Sequence, residues 1–390
     1  MSLLRSARFP AIVLLAAAVL ALVVANSPLG AGALAVKDTP LGIPGIFEMS
    51  IGHWVQDGLL AVFFFLVAVE LQFELTRGEL NSARKALQPA IAAAGGVIVP
   101  IVLFLVISGG TESASGWPIP TATDIAFALG VLAIFGKGLP AGIRIFLLAL
   151  AILDDIVGIV FIAVLFTDGV NVAMLALAAL AVIVFGVLSR LLGTRARAPI
   201  AVLLVLLGIA TWVLVYESGV HATIAGVALG LAMAQQPALR VRHALEPWVN
   251  GIVLPLFAFS AALVVIPAVS PSQLAPAFWG VLVALPVGKI VGITAFGWIS
   301  LRIGNRGAVP HLSLADLLAA GALGGIGFTV SLLLSELAFD GRPLLRDEAT
   351  LGVLGGSLIS LVVAGVLVAQ RARHHRRVAA QDRDDSKEQA

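Results

Sequence analysis

Ala149-Leu-Ala-Ile-Leu-Asp-Asp-Ile156 sets two adjacent carboxylates, Asp154 and Asp155, inside an apolar run from Ile145 to Phe166. A run of that length crosses a bilayer, at about 20 residues per span. One ionised Asp near the centre of a span costs about 2.5–3.5 kcal/mol on insertion scales. Two in a row need a reason. One reading is structural: an acid pairs with a basic side chain and joins two helices, although two acids would need two such partners. The other is a site for a cation or a proton. Neighbours on a helix point about 100° apart. One can therefore face a cavity while the other faces an adjacent helix, and they do not readily form a close dyad.

The chain around this stretch has the same character. Its 390 residues are 60% hydrophobic and 12% charged, with a mean hydropathy of +1.06. Soluble domains carry about 25% charged residues. Long apolar runs, instead of short alternating segments, exclude a β-barrel and predict an all-α polytopic membrane protein. The net charge of +2, with basic residues scattered among loops, argues against a nucleic-acid partner. There are no cysteines, which excludes disulfides and thiolate metal sites. No Gly-x4-Gly-Lys-Ser/Thr loop is present, and no cofactor is expected.

About twelve transmembrane helices are predicted, near residues 9–25, 54–76, 87–108, 118–136, 142–166, 172–190, 199–216, 219–234, 246–267, 275–300, 313–336 and 350–370. Residues 1–370 read as a single transmembrane transporter domain and 371–390 as a polar cytoplasmic tail. Phe9 to Ala25, after Arg5 and Arg8, has the outline of a secretory signal. No small-x-small cleavage site follows it and more spans do, so it reads as the first transmembrane helix. With the N-terminus inside, twenty of the 24 basic residues fall in cytoplasmic segments. Lys37, Arg342 and Arg346 fall outside, and Lys289 lies within a span. That bias places both termini in the cytoplasm. Between the first two spans, Thr39-Pro-Leu-Gly-Ile-Pro-Gly-Ile-Phe reads equally as a small outer hairpin or an ordinary loop.

Few ionisable residues sit in the spans. Asp124 follows two prolines and two threonines in Pro118-Ile-Pro-Thr-Ala-Thr-Asp. Proline removes an amide donor and clashes one turn back, so this helix is predicted to stop and restart. Asp124 then either caps the second half-helix or helps surround an ion site at the half-helix ends. Lys289, near the middle of the tenth span in Leu285-Pro-Val-Gly-Lys, must pair, deprotonate or snorkel. An acid of the fifth span is its natural partner, in a structural pair or as a titrating member of the site. Gly321-Ala-Leu-Gly-Gly-Ile-Gly-Phe-Thr is either a close helix contact or a second broken helix. Broken fourth and eleventh spans fall at matching places in two inverted units, spans 3–5 and 10–12, a pattern that points to a transporter site near the bilayer midplane.

Glu70 and Glu74 end the second span one turn apart, as a solvated helix end or a cation funnel. His221, in Ser218-Gly-Val-His-Ala-Thr, is a satisfied polar histidine or a pH-sensitive contact. His243 and Glu246 read as a local i,i+3 pair on the bland reading, or, with Glu70, Glu74 and His221, as part of a pH response.

These segments resemble the NhaA family of sodium/proton antiporters. Gly116-Trp-Pro-Ile-Pro-Thr-Ala-Thr-Asp-Ile-Ala-Phe-Ala-Leu-Gly resembles the family's broken fourth helix, and Leu148 to Asp155 its double-aspartate helix. Ser218-Gly-Val-His-Ala-Thr, Gly288-Lys and Gly325-Ile-Gly-Phe-Thr match other signatures, and the likeness runs from about Ala16 to Val368. The resemblance implies twelve helices with crossed, broken fourth and eleventh helices. It implies Asp155 as the main Na⁺ or Li⁺ ligand and proton carrier, with Asp154 as its partner pairing with Lys289. Thr123 and Asp124 would sit at the crossing, Asp124 balancing the helix ends. It further implies a homodimer joined through the outer hairpin, in a bacterial cytoplasmic (inner) membrane. The chain departs from the family at Gln72 and Phe73, where a basic pair is usual, and at Arg242 and Glu246, where Glu and His are common. It departs again at Ser260-Ala-Ala-Leu. The first two regions are those associated with pH activation.

The expected function is a secondary active antiporter, not an enzyme. It exchanges Na⁺ (or Li⁺) for H⁺ electrogenically and serves Na⁺ and pH homeostasis. A Na⁺-coupled solute symporter of similar fold has few donors here for an organic ligand. An intramembrane aspartyl protease would need two facing carboxylates without a cation between them; Lys289 and the missing Gly-x-Gly-Asp arrangement weigh against it.

Overall fold

The computed structural model describes residues 8–44, 47–167, 169–193, 197–303 and 312–388. Arg5, Arg195 and Arg306, counted above among the basic residues, and Gly45 and Ile46 of the expected hairpin lie outside the described residues.

The chain begins with α1 (Arg8–Ala25) and α2 (Gly30–Asp38), followed by the antiparallel strands β1 (Pro40–Ile43) and β2 (Phe47–Ser50). Next come α3 (Ile51–Thr76), α4 (Ala83–Ser108), α5 (Ile125–Phe135) and α6 (Ala141–Leu165). They are followed by α7 (Val172–Ser189), α8 (Arg197–Glu217), α9 (Thr223–Ala232), α10 (Gln235–Ala261) and α11 (Pro276–Arg302). The last three are α12 (Leu314–Gly324), α13 (Phe328–Ala338) and α14 (Pro343–Glu388). Among the described residues, eight helices are long and apolar enough to cross a membrane, and three bent pairs bring the number to 11. The remaining expected span matches α9, apolar but only 10 residues long. The protein is therefore an all-α polytopic membrane protein, and the segment between the first two expected spans does pair as a hairpin, with Leu41 opposite Met49.

Both breaks are where the prolines and glycines put them. Two short 3₁₀ segments, Glu112–Gly116 and Ile119–Thr121, precede α5 across extended residues 122–124, with a bend of 46°. α12 and α13 are separated by Gly325, Ile326 and Gly327 and bend by 49°. Pro286, which has no amide hydrogen to donate, lies in a π-helical turn, Ala284–Gly288, within α11.

One segment differs from expectation, and one adds to it. The ninth span starts at Gln235, not near 246, so Arg240, Arg242 and His243 stand on a helix instead of in a loop. The charged stretch after Gln370 continues α14 to Glu388 without a break. No glycine or proline follows Gly365, and Arg371 and Arg376 have partners within the fold.

The chain forms two compact units. The first comprises Val13–Asn81 and Ile159–Val265. Its core holds Val69, Phe185, Leu204, Leu229, Met233 and Ala238. Lipid offers helices no apolar driving force to associate, so close packing must come from small residues. Gly226 and Gly230, one turn apart on α9, provide it: a Cβ at Gly226 would sit 1.9 Å from the Ala61 carbonyl oxygen.

The second unit comprises Ser82–Gly158 and Ile266–Ala390, with the start of α1. Its core brings together Ala92 and Ala93 of α4, Ile143, Phe146 and Leu150 of α6, Ile293 of α11, and Leu317 and Ala320 of α12. Residues four apart share a helix face. Burying Leu150 and Ile293 therefore turns Asp154 and Lys289 inward on the same faces. α4 and α11 approach through glycine, since a Cβ at Gly292 would lie 2.1 Å from the Gly95 carbonyl oxygen.

Gly292→Val should therefore lower the stability of the folded protein by about 1–3 kcal/mol, the usual cost of overpacking a tight contact. Gly32→Ala on α2, where a Cβ meets nothing within 4 Å, should leave it unchanged or slightly raised. Thermal unfolding in detergent measures both. Equal melting temperatures for Gly292→Val and wild type would refute the close helix contact.

Candidate ion-binding site

A helix interrupted inside a membrane exposes amide hydrogens on one side of the break and carbonyls on the other. At the first break the backbone is extended, and the Asp124 amide donates to the Ile326 carbonyl of the second break at 2.6 Å. Thr123 lies beside it, its hydroxyl 2.8 Å from the Gly324 carbonyl. The two broken spans thus cross backbone to backbone.

Asp124 serves two helix N-termini at once. Its Oδ1 accepts from the Phe127 amide (3.1 Å) in the first turn of α5. Its Oδ2 accepts from the amide (3.2 Å) and the hydroxyl (2.8 Å) of Thr329 in the first turn of α13. An anion at each positive helix end is favourable, and one carboxylate here answers two. On the carbonyl side, Ser331 Oγ donates to Ile119 O at 2.8 Å.

Lys289 has no exposed surface. Its Nζ is 2.6 Å from Asp154 Oδ2 and 3.1 Å from Thr123 Oγ1. Thr123 Oγ1 is also 2.7 Å from Asp154 Oδ2. The threonine hydroxyl accepts from the ammonium and has one proton to give, to Asp154 or to Gly324. Asp154 Oδ1 is buried and has no hydrogen-bond partner among the described residues.

Asp155 is different. It makes no hydrogen bond among the described residues and lies within electrostatic reach of Asp154, Asp124 and Lys289. It is 8% exposed against 1% for Asp154, which makes it the more accessible of the pair. The 100° step around α6 separates the two roles, one carboxylate bonded to Lys289 and its neighbour left open.

The five core residues read from the sequence, Thr123, Asp124, Asp154, Asp155 and Lys289, all lie in the second unit. Glu70, Glu74, His221, His243 and Glu246 lie in the first. There Glu70 is ion-paired with Arg242 and lies in one charged cluster with Glu74, His243 and Glu246. Glu74 Oε2 accepts from the Glu79 amide at 2.8 Å. Gln72 donates to the Leu231 and Met233 carbonyls, at 2.7 and 2.9 Å, closing the end of α9. The expected His243–Glu246 pair does not form: His243 Nδ1 turns back to the Leu239 carbonyl (2.7 Å) on its own helix. His221 has partners on both ring nitrogens, Thr223 Oγ1 at 2.8 Å and Asp57 Oδ1 at 3.3 Å.

Three buried polar residues were not singled out in the sequence, although the structure gives each a side-chain partner. Thr329 closes the Gly-Ile-Gly-Phe-Thr motif, so its position beside a break was visible. Asp57 is an acid within an apolar span, the same signal that marked Asp154. Asp316 completes Ser313-Leu-Ala-Asp, a capping-box spacing.

Residues 1–368 match the family described as Na⁺/H⁺ antiporter 1. The chain is 56% identical over 394 residues to a protein of Clavibacter michiganensis subsp. michiganensis named Na(+)/H(+) antiporter NhaA 2, covering 99% of this chain and 96% of the relative. It is 45% identical to Na(+)/H(+) antiporter NhaA of Tropheryma whipplei (strain Twist), over 94% of this chain and 95% of that one. It is 41% identical to Na(+)/H(+) antiporter NhaA of Mycolicibacterium smegmatis, over 96% and 89%. With a family match across nearly its whole length and relatives of this identity, the chain belongs to the Na⁺/H⁺ antiporter 1 family.

Proposed function

We infer that this multi-pass membrane protein is a secondary active transporter, not an enzyme, that exchanges Na⁺ for H⁺, and we propose Asp155 as the shared carrier of the two ions. The observation that carries the assignment to Asp155 is the division of labour on α6. Asp154 has its charge answered by Lys289 at 2.6 Å, while Asp155 is a buried carboxylate with no hydrogen bond among the described residues. A carboxylate taken out of water is costly when ionised and bare. Binding either Na⁺ or H⁺ relieves that cost. The two ions compete for one group, and the empty charged site is the penalised state. Exchange then follows without ATP.

We propose Asp154 Oδ1, which has no hydrogen-bond partner among the described residues, and the Thr123 hydroxyl as further oxygens for Na⁺ or Li⁺ beside Asp155, with Asp124 holding the crossing. A protease reading would need the two acids to share a water, whereas Asp154 is bonded to an ammonium. The excess of basic residues on one side supports an orientation with both termini in the cytoplasm. The outer hairpin supports a homodimer: its first strand is exposed throughout, with Leu41 and Ile43 free to meet a second copy.

In proteoliposomes, a Na⁺ pulse should move protons in wild-type protein and not in Asp155→Asn, which should still fold and melt as wild type. Normal exchange by that variant would remove Asp155 from the site. Lys289→Ala leaves Asp154 as an unpaired buried charge, a change that costs about 3–5 kcal/mol when one partner of a buried pair is removed. It should therefore lower the melting temperature or shift the pH profile of exchange. If neither changes, the pair has no such role.

The exchange is further proposed to move net charge. Na⁺ binding at Asp155 displaces one proton, and rearrangement of the Asp154–Lys289 pair releases a second. One charge then crosses per cycle, worth about 2.3 kcal/mol per 100 mV. Na⁺ efflux at equal pH on both sides should follow an imposed potassium–valinomycin potential in sign and size. Efflux indifferent to that potential means one proton per Na⁺.

A further inference from the structure

The crossing of the broken helices is tied at both ends by arginines that the ion site itself does not use. Arg342 lies in the turn after α13. Its Nη1 donates to the Glu112 carbonyl (3.1 Å), and its Nη2 to Ser115 Oγ (2.7 Å) and the Ala338 carbonyl (2.8 Å). Glu112 and Ser115 belong to the 3₁₀ segment that opens the first broken span, and Ala338 ends the second. One guanidinium therefore bonds the outer ends of both. Beneath it Phe339 lies 5.2 Å from the guanidinium carbon. A Cβ at Gly116 would come within 2.7 Å of the Phe339 ring, so that contact is already full.

At the other end the extension of α14 past Gln370 makes an equivalent tie. Arg376 Nη1 donates to the Lys137 carbonyl at 2.6 Å, in the turn that follows α5. Arg371 Nε donates to Asp316 Oδ1 (2.8 Å) and its Nη2 to Ser313 Oγ (3.1 Å). Ser313 is the N-cap of α12, and Asp316 is its capping-box partner. His375 Nε2 stands 3.1 Å from the same Asp316 oxygen. Five positions along a helix turn about 140°, so Arg371 and Arg376 reach two different neighbours from one helix. Between them Ala372 is fully buried. The inner ends of both broken spans are thus bonded to a single rigid element.

We propose that Arg342 at the outer end, and Arg371 with Arg376 at the inner end, are positioning residues for ion exchange. They fix the two broken helices relative to each other, and so fix the crossing where Thr123, Asp124, Asp154 and Asp155 meet. This deepens, and rests on, the reading of that crossing as the Na⁺ site.

The half-helices need such ties. α5, α12 and α13 have 11 residues each, about 16 Å and so roughly half the bilayer core, and each therefore has an end inside the membrane. Their middles are joined by the Asp124–Ile326 bond and by Thr123 at Gly324. Ligands of a small cation must be held to within about half an ångström, which middle contacts alone do not secure if the ends splay. A guanidinium suits the task because its planar fork bonds two or three acceptors in a fixed geometry, where an ammonium acts as a point charge.

The test is a Na⁺ titration of exchange in proteoliposomes made with full-length Arg342→Gln and Arg371→Gln, with thermal midpoints recorded on the same preparations. Each should raise the apparent KM for Na⁺ by about fivefold or more, the lower end of usual coupling between sites. Arg342→Lys and Arg371→Lys, which keep the charge and lose the fork, should recover only part of the loss. A purely structural role would lower the midpoint and leave KM alone. Wild-type KM in both Gln variants overturns the proposal, whatever their midpoints. If a Gln variant does not fold, its Lys variant is read by the same criterion, and a wild-type KM there overturns it equally. Asp155→Asn run alongside separates the two readings. Should it exchange normally, the site assignment fails and the clamps fall with it. Should it be inactive while the clamp variants keep their KM, only the clamps fail.

Discussion

Breaking a helix inside a membrane strands backbone groups where no water can satisfy them, and the rest of the second unit answers that problem. The solution is reciprocal. Each interrupted span satisfies the other, through the Asp124 amide at Ile326 and the Thr123 hydroxyl at Gly324. The positive ends of α5 and α13 share the Asp124 carboxylate. The consequence is a spot in the apolar interior where polar atoms are concentrated and already oriented. A continuous helix could not supply it, because all its backbone groups would be spent on one another.

The acids and Lys289 then have to be distributed around that spot. Lys289 is brought in by a glycine contact between α4 and α11 that leaves no room for a side chain at Gly292. Its ammonium meets Asp154 and Thr123, linking α11, α6 and the first break in one hydrogen-bonded group. Removing any member leaves a buried partner without its bond, which makes the group mutually dependent. The exposed apolar faces of α7 and α8, such as Val187 and Val205, place no comparable demand, because lipid satisfies them.

What could be read beforehand followed the range of each signal. Helices and breaks came from local composition, and Pro118, Pro120 and the Gly325–Gly327 pair marked the interruptions. Asp154, Asp155 and Lys289 stood out because charge inside an apolar run is costly. Asp124 as a cap of its own helix was local, but its bonds to Thr329, 205 positions away, were not. The extension of α14 was not legible for the same reason. By composition it is a polar tail, and only contacts with Ser313, Asp316 and Lys137, each far away in sequence, show why it stays helical. Arg342 looked like one of three loop cations; its bonds to Glu112 and Ser115, 230 and 227 positions away, were not legible locally. At His243 the local i,i+3 rule was outweighed by a carbonyl of the preceding turn.

The adjacency of Asp154 and Asp155 looks wasteful until the two are placed on the helix. Two free carboxylates in one apolar site would repel, and one would have to stay protonated at all times. Turning them about 100° apart removes that conflict. Asp154 meets an ammonium, so it does not repel its neighbour as a second free carboxylate would. On the proposed reading this leaves a single carboxylate, Asp155, for Na⁺ and H⁺ to contest. The contest is what makes the transport an exchange. With two independent open acids, Na⁺ and H⁺ could be held together and carried the same way. With one, loading either ion requires the other to have left, and the opposite directions of travel follow from that exclusion.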